Sequence, residues 1–120
     1  MNQSDAIVRF EALASAVRLD VCRLLMRQGQ VGMVAGEVAT ALDLAPTNLS
    51  FHLKTLLRAG LVTVVQEGRY QRYRAHLPNM LELLAYLTEE CCGGEPELCT
   101  EVVALSKRLG AGSNRDGPAP

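Results

Sequence analysis

No stretch of the 120 residues stays apolar for the roughly 18 positions a membrane helix needs, because Arg, Glu or Gln breaks every apolar run. The opening segment MNQSDAIVRFEALAS carries Asp5 and Glu11 and no unbroken apolar stretch, so it does not read as a secretory signal. The expectation is a cytoplasmic protein with no membrane partner. The sequence has no Cys-x-x-Cys, no phosphate-cradling glycine loop and no histidine near its cysteines. A thiol enzyme such as a small reductase would need such groups, so the chain is read as a non-enzyme without an organic cofactor. Internal repeats are missing too. An excess of one charge is also lacking, since the formal net charge of −1 singles out no partner.

What is present is a one-domain chain, 48% hydrophobic and 21% charged, which excludes a wholly disordered polymer. The charges are unevenly spread. Residues 46–76 carry +4, from Lys54, Arg58, Arg69, Arg72 and Arg74 against Glu67. Residues 77–101 carry −6 and no base. A basic middle beside an acidic segment is an asymmetry that a small nucleic-acid binder can hide under a neutral total.

Helical periodicity comes first along the chain. Over residues 5–14 it places Ile7, Phe10, Leu13 and Ala14 on one face. A second helix is predicted from an N-cap at Ser15 to about Gln28, with Gly29 as its C-cap and Val17, Val21, Leu24 and Leu25 as its apolar positions. A third spans residues 34–42 and is interrupted by Asp43-Leu44-Ala45-Pro46. Pro46 suits the first turn of a fourth helix, whose stripe is Leu49, Leu53, Leu56 and Leu57 and whose stop is Gly60.

The period then changes to two. Leu61–Val65 and Tyr70–Arg74 read as the arms of a hairpin around a turn at Glu67-Gly68-Arg69. After Pro78, Met80, Leu84, Leu87 and Cys91 form a heptad-like seam that ends at Gly93-Gly94. Pro96 opens a short last helix through Val102, Leu105 and Leu109. The order α-α-α-α-β-β-α, with that C-terminal helix, is mainly α with a β-hairpin wing, which is a winged helix-turn-helix. Residues 1–109 would be one DNA-binding and dimerisation domain carrying a cysteine site, and residues 110–120 a tail with no core former, expected to be disordered.

In such a fold the second helix of the helix-turn-helix enters the major groove. On residues 46–59 the positions not needed for a core are Thr47, Asn48, Ser50, Phe51, His52, Lys54 and Thr55. These are short donors and acceptors, a base and an aromatic, as contacts with base edges and phosphates require. The hairpin adds Arg69, Arg72 and Arg74, with Tyr70 and Tyr73, for a minor groove or flanking phosphates. Any one of these residues could merely solvate a surface. The inference rests on helix, turn, helix and basic hairpin following in one order.

The stretch EVATALDLAPTNLSFHLKTLLRAGLVTVVQEGRYQRYR, residues 37–74, resembles the ArsR/SmtB family of metal-responsive repressors. Ser50-Phe51-His52-Leu53-Lys54, Gly60-Leu61-Val62 and the wing residues Gly68-Arg69 and Tyr73 carry the resemblance. It implies a homodimer that blocks transcription from double-stranded operator DNA until an inducer binds. Ile7, Phe10 and Leu13, with Met80, Leu84 and Leu87, are the expected dimer interface.

The cysteines point to the inducer. Cys22 lies inside an apolar helix and reads as a small buried hydrophobe. Cys91, Cys92 and Cys99 fall in CCGGEPELC. Adjacent helical residues point about 100° apart, so Cys91 and Cys92 can share an ion only where the helix unwinds, which Gly93-Gly94 makes cheap. Three sulfurs without a matched His suit a soft, three-coordinate centre such as As(III) or Sb(III); zinc prefers four ligands. The segment TEECCGGEPELC also looks like the C-terminal arsenic site of one branch of the family. Many members carry a CVC pair on the helix before the recognition helix, where this chain has Val34-Ala35-Gly36. The family's His/Asp zinc site is likewise missing. Redox sensing by the same cysteines, Cd or Zn sensing, and methylated trivalent arsenicals stay open at this stage, as does a constitutive DNA-binding module.

Overall fold

The computed structural model describes residues 1–90, 100, 101, 104, 105, 107 and 108. It contains α1 (Gln3–Leu13), α2 (Ala16–Gln28), a 3₁₀ turn (Gly29–Val31), β1 (Met33–Val34), α3 (Ala35–Leu42), α4 (Pro46–Arg58), β2 (Val62–Glu67), β3 (Tyr70–Ala75) and α5 (Leu77–Thr88). The chain divides into two units, Met1–Leu84 and Ala85–Pro120. In the second, the described residues 100, 101, 104, 105, 107 and 108 are helical and exposed. The rest of the helix expected from Pro96, and the tail at 110–120, lie outside the described residues.

Local chemistry sets most boundaries. The Ser15 hydroxyl accepts from the Arg18 amide at 3.3 Å and starts α2, and Gly29, at φ 58°, ends it. α1 begins two residues earlier than its periodicity predicts, because the Asn2 side chain accepts from the Asp5 amide at 2.8 Å. Asp43 takes the left-handed conformation (φ 54°, ψ 52°) that closes α3, and Pro46 opens α4 two residues after Leu44. Gly60, at φ 75°, makes the corner into β2.

One core serves the first unit. Its fully buried members are Val21, Leu25, Val38, Leu49, Leu56 and Leu61, drawn from α2, α3, α4 and the approach to β2. α1 contributes Ala12 to this cluster and also buries Ala6, while its larger apolar residues Ile7, Val8 and Phe10 face out. In α5 the buried residue is Leu83, a position the heptad reading passes over.

The wing departs from a simple hairpin. β1, absent from the sequence reading, pairs antiparallel with β3 through Met33–Tyr73 and Val34–Arg72, so the sheet order is β1-β3-β2. β2 pairs with β3 from Val62–Ala75 to Glu67–Tyr70, leaving Gly68 and Arg69 as a two-residue turn. Glu67 therefore belongs to the strand, not to the turn. Gly68 has φ 62°, the positive value such a turn requires at its first position. Gly32 sits where β1 meets β3; a Cβ there would collide with the Tyr73 carbonyl.

Candidate nucleic-acid interface

α4 is built with two unlike faces. Leu49, Leu53 and Leu56 are buried, and Thr47, Asn48, Ser50, Phe51 and Lys54 are exposed. Phe51 is 67% exposed, a large apolar ring amid polar neighbours. Among the described residues, the side chains of Thr47, Asn48, Ser50 and Lys54 make no hydrogen bond. Thr55 differs: its hydroxyl donates to the Phe51 carbonyl at 3.2 Å and is thereby occupied within the helix. No side chain caps α4, whose N-cap position holds Ala45. The first amides of the helix thus keep their donors for an outside acceptor, at the end where the helix dipole favours an anion.

His52 stands half-buried at the border of the two faces. Its ring Nδ1 lies 3.2 Å from Nη1 of Arg18, a residue of α2. The same guanidinium donates to the carbonyls of Ala12 (2.6 Å) and Glu11 (3.4 Å) at the end of α1. The sequence reading passes over Arg18. It is one arginine on a mixed helix face, and its partner stands 34 positions away.

The three wing arginines part company. Arg69 occupies the hairpin turn, exposed, with no hydrogen bond or ion pair among the described residues. Arg72 donates to both oxygens of Glu67 (2.9 and 3.1 Å) and to the Val31 carbonyl (3.1 Å). Arg74 donates to the Gln30 carbonyl at 2.6 Å. Arg72 and Arg74 therefore bind the wing to the 3₁₀ turn, held there by β1 pairing at the edge of β3. The tyrosines divide as well. Tyr70 is exposed, whereas Tyr73 is core, donating its hydroxyl to the Gln71 side chain at 3.2 Å. Burial raises the Tyr73 pKa above its ordinary value.

Of the six residues expected at a dimer interface, Ile7, Phe10 and Leu84 are exposed in the first unit and Leu87 in the second. Leu13 and Met80 are half-buried and pack on the protomer's own core. α1 and α5 are joined by an ion pair between Arg9 and Glu82 at 2.8 Å.

Cys22 is buried, and desolvation pushes its thiol up to about 11, which leaves little thiolate to bind a metal or react. Cys91, Cys92 and Cys99 lie outside the described residues. Among the described residues, no three His, Cys, Asp or Glu side chains gather as a metal set. No described helix is long and apolar enough to cross a membrane.

A helix-turn-helix domain family (HTH_20) matches residues 13–65, from the end of α1 into β2. The chain is 33% identical over 94 residues to an uncharacterised HTH-type transcriptional regulator, YceK, of Bacillus subtilis, spanning 70% of this chain and 93% of that one. It is 30% identical over 96 residues to the arsenical resistance operon repressor of the same organism, spanning 76% and 87%. Among solved structures it resembles the homodimeric winged helix-turn-helix DNA-binding domain Mb0332 of Mycobacterium bovis, a possible ArsR-family transcriptional regulator. The TM-score is 0.58 and the identity 29%, over 72% of this chain and 81% of that one.

Proposed function

The chain belongs to the ArsR/SmtB family of winged helix-turn-helix transcriptional repressors, DNA-binding regulators rather than enzymes, and on that premise we propose that it is a homodimeric operator binder released by trivalent arsenic. Three cysteine thiolates, Cys91, Cys92 and Cys99, would hold the arsenic. Antimony(III), of like valence, would serve in the same way.

The observation that carries the DNA-binding part is the split of α4. Its leucines are spent on the core, and Thr47, Asn48, Ser50 and Lys54 stand exposed and unbonded among the described residues. Side chains of this kind, on a convex helix with an uncapped N-terminus, meet base edges and phosphates in a major groove. Phe51 is suited to the methyl group of a thymine, and Arg69 at the turn of the wing to a flanking phosphate. A two-fold dimer would set two such helices about 34 Å apart, one turn of DNA. The exposed Ile7, Phe10 and Leu84 support that dimer, as does the homodimeric Mb0332.

The arsenic part rests on the donor set. CCGGEPELC supplies three thiols within nine residues, with glycines that let the chain turn. Three thiolates match the three bonds of As(III). The similarity to an arsenical resistance operon repressor supports the same ligand. Release requires arsenic to bind the DNA-incompetent form more tightly, by about 3–5 kcal/mol for near-complete switching.

The test is release of a fluorescent duplex, selected from a random library by the full reduced protein, followed by anisotropy. Arsenite, antimonite, zinc, cadmium and peroxide are titrated separately. Release by micromolar arsenite that disappears in the Cys91/Cys92/Cys99→Ser variant is the expected outcome. Release by arsenite that survives Cys99→Ser would defeat the three-thiol site. Release by peroxide alone would make the cysteines redox sensors.

A further inference from the structure

We propose that Arg18 is a positioning residue for DNA recognition: it holds His52 of the reading helix as the Nε2–H tautomer and ties that ring to the end of α1. The inference rests on the reading of α4 as the DNA-contacting helix. It adds a residue outside the helix-turn-helix and gives it a chemical task.

A guanidinium has five N–H donors and no acceptor. At 3.2 Å from Arg18 Nη1, the His52 Nδ1 can only accept, so its lone pair points at the arginine. A neutral imidazole with an accepting Nδ1 carries its proton on Nε2. Nε2–H is then the ring's remaining donor, and among the described residues it has no partner. That ring sits half-buried beside the exposed Asn48 and Phe51 of the same helix. It can donate to a phosphate oxygen or to the edge of a base, and the opposite tautomer would offer those acceptors a lone pair instead.

Arg18 is itself fixed. Nε donates to the Ala12 carbonyl at 2.6 Å and Nη2 to the Glu11 carbonyl at 3.4 Å, which also accepts from the Ala14 amide at 3.1 Å. The planar fork spans both carbonyls at the C-terminal end of α1 and leaves Nη1 for His52. One side chain thus closes α1 and orients a residue of α4. A shift of the end of α1 moves the guanidinium, and with it the tautomer and direction of His52.

The chain contains two histidines, which makes the experiment compact. His76 Nδ1 accepts from the Asn79 amide at 3.2 Å, so it holds the same tautomer through a contact independent of Arg18. Two-bond proton–nitrogen spectra of the full chain in mildly alkaline buffer should show both rings as Nε2–H. In Arg18→Gln the His52 signals should move to mixed tautomers while those of His76 stay. A His52 ring protonated on Nδ1 in the wild type, or unchanged in Arg18→Gln, overturns the proposal.

Binding to the library-selected duplex supplies the second readout. Arg18→Gln should weaken it about tenfold, the worth of one well-placed hydrogen bond of the charged class. His52→Gln keeps an N–H near the place of Nε2 and should retain most of the affinity. His52→Asn keeps only an acceptor near Nδ1 and should lose as much as His52→Ala. In the His52→Ala background the Arg18→Gln loss should largely vanish. A full tenfold loss there would show that Arg18 acts only through the fold and would overturn the proposal. Thermal melts of each variant track folding. No selectable duplex at all for the wild type would instead overturn the repressor reading, and this inference with it.

Discussion

Arg9 of α1 and Glu82 of α5 meet at 2.8 Å, and the same guanidinium donates to the Ala59 carbonyl at 3.2 Å and the Asn79 carbonyl at 3.4 Å. One arginine so joins α1, the end of α4 and α5. The hydrogen bond from Arg9 holds the Glu82 carboxyl below its ordinary value of 4.5. A carboxyl lowered in the folded state adds stability above its unfolded value, and loses that contribution as the pH falls through the folded one. Urea midpoints of the wild type should therefore stand modestly above those of Glu82→Gln at neutral pH, and that advantage should fade as the pH falls below about 4.5, where the wild type drops more steeply. Arg9→Ala, which breaks all these bonds, should cost about 1–2 kcal/mol at neutral pH.

The wing arginines should separate by assay. Arg69→Ala should leave the melting temperature unchanged and lower the salt slope of DNA binding by about one. Arg74→Ala removes the 2.6 Å bond to Gln30 and should cost about 1 kcal/mol of stability without changing that slope. Equal salt slopes for wild type and Arg69→Ala would remove Arg69 from the interface.

Phe51, two-thirds exposed, should matter for sequence and not for folding. In the half-site selected by the wild type, one thymine should be sensitive to replacement by deoxyuridine, which deletes only a methyl group. The expected loss is about 1 kcal/mol of binding, the worth of one buried methyl. Phe51→Ala should melt like the wild type and bind both duplexes alike.

Cys22 should be inert. Its buried thiol, pushed up to about 11, should resist alkylation in the native protein and react only on unfolding. Cys22→Ser places a hydroxyl among Val21, Leu25 and their neighbours and should cost about 1–3 kcal/mol, with arsenite release unaltered in the folded fraction. Loss of release in a fully folded Cys22 variant would bring that thiol into the inducer site.

Phe10→Asp puts a charge on the outward face of α1 without touching the core. Sedimentation should show the wild type as a dimer and this variant shifted to monomer, with DNA binding weakened in step. A dimer of unchanged strength would move the interface elsewhere.

The helix ends were legible because the chemistry that makes them is local. Ser15, Gly29, Pro46 and Gly60 each act within a few residues of themselves. The leucines of α4 were legible for the same reason, since 3.6-residue periodicity separates them from the polar face. β1 was not. Two residues carry no period, and Met33–Val34 becomes a strand only because Tyr73 and Arg72 arrive beside it from 38 or more positions away. That pairing also sets Arg72 and Arg74 beside the carbonyls of Val31 and Gln30, contacts that alternation alone could not show. α1 was legible in part. Ile7 and Phe10 face outward, where a dimer face was expected, while the core takes Ala12, a position the periodicity did not single out. The reading of α4 as the DNA-facing helix followed from sequence; the Arg18–His52 contact did not, because nothing in either residue's neighbourhood announces the other.

β1 runs without a break into α3, and Val34 is both the last residue of the strand and the N-cap of the helix. The wing is therefore welded at its root to the first helix of the helix-turn-helix, and α3 is in turn packed on α4. If α4 reads the groove as proposed, helix and wing would work like the jaws of a fixed calliper. DNA could be bent to fit that gauge, but inserting one base pair between the proposed groove contact and the proposed wing contact would forfeit one of them.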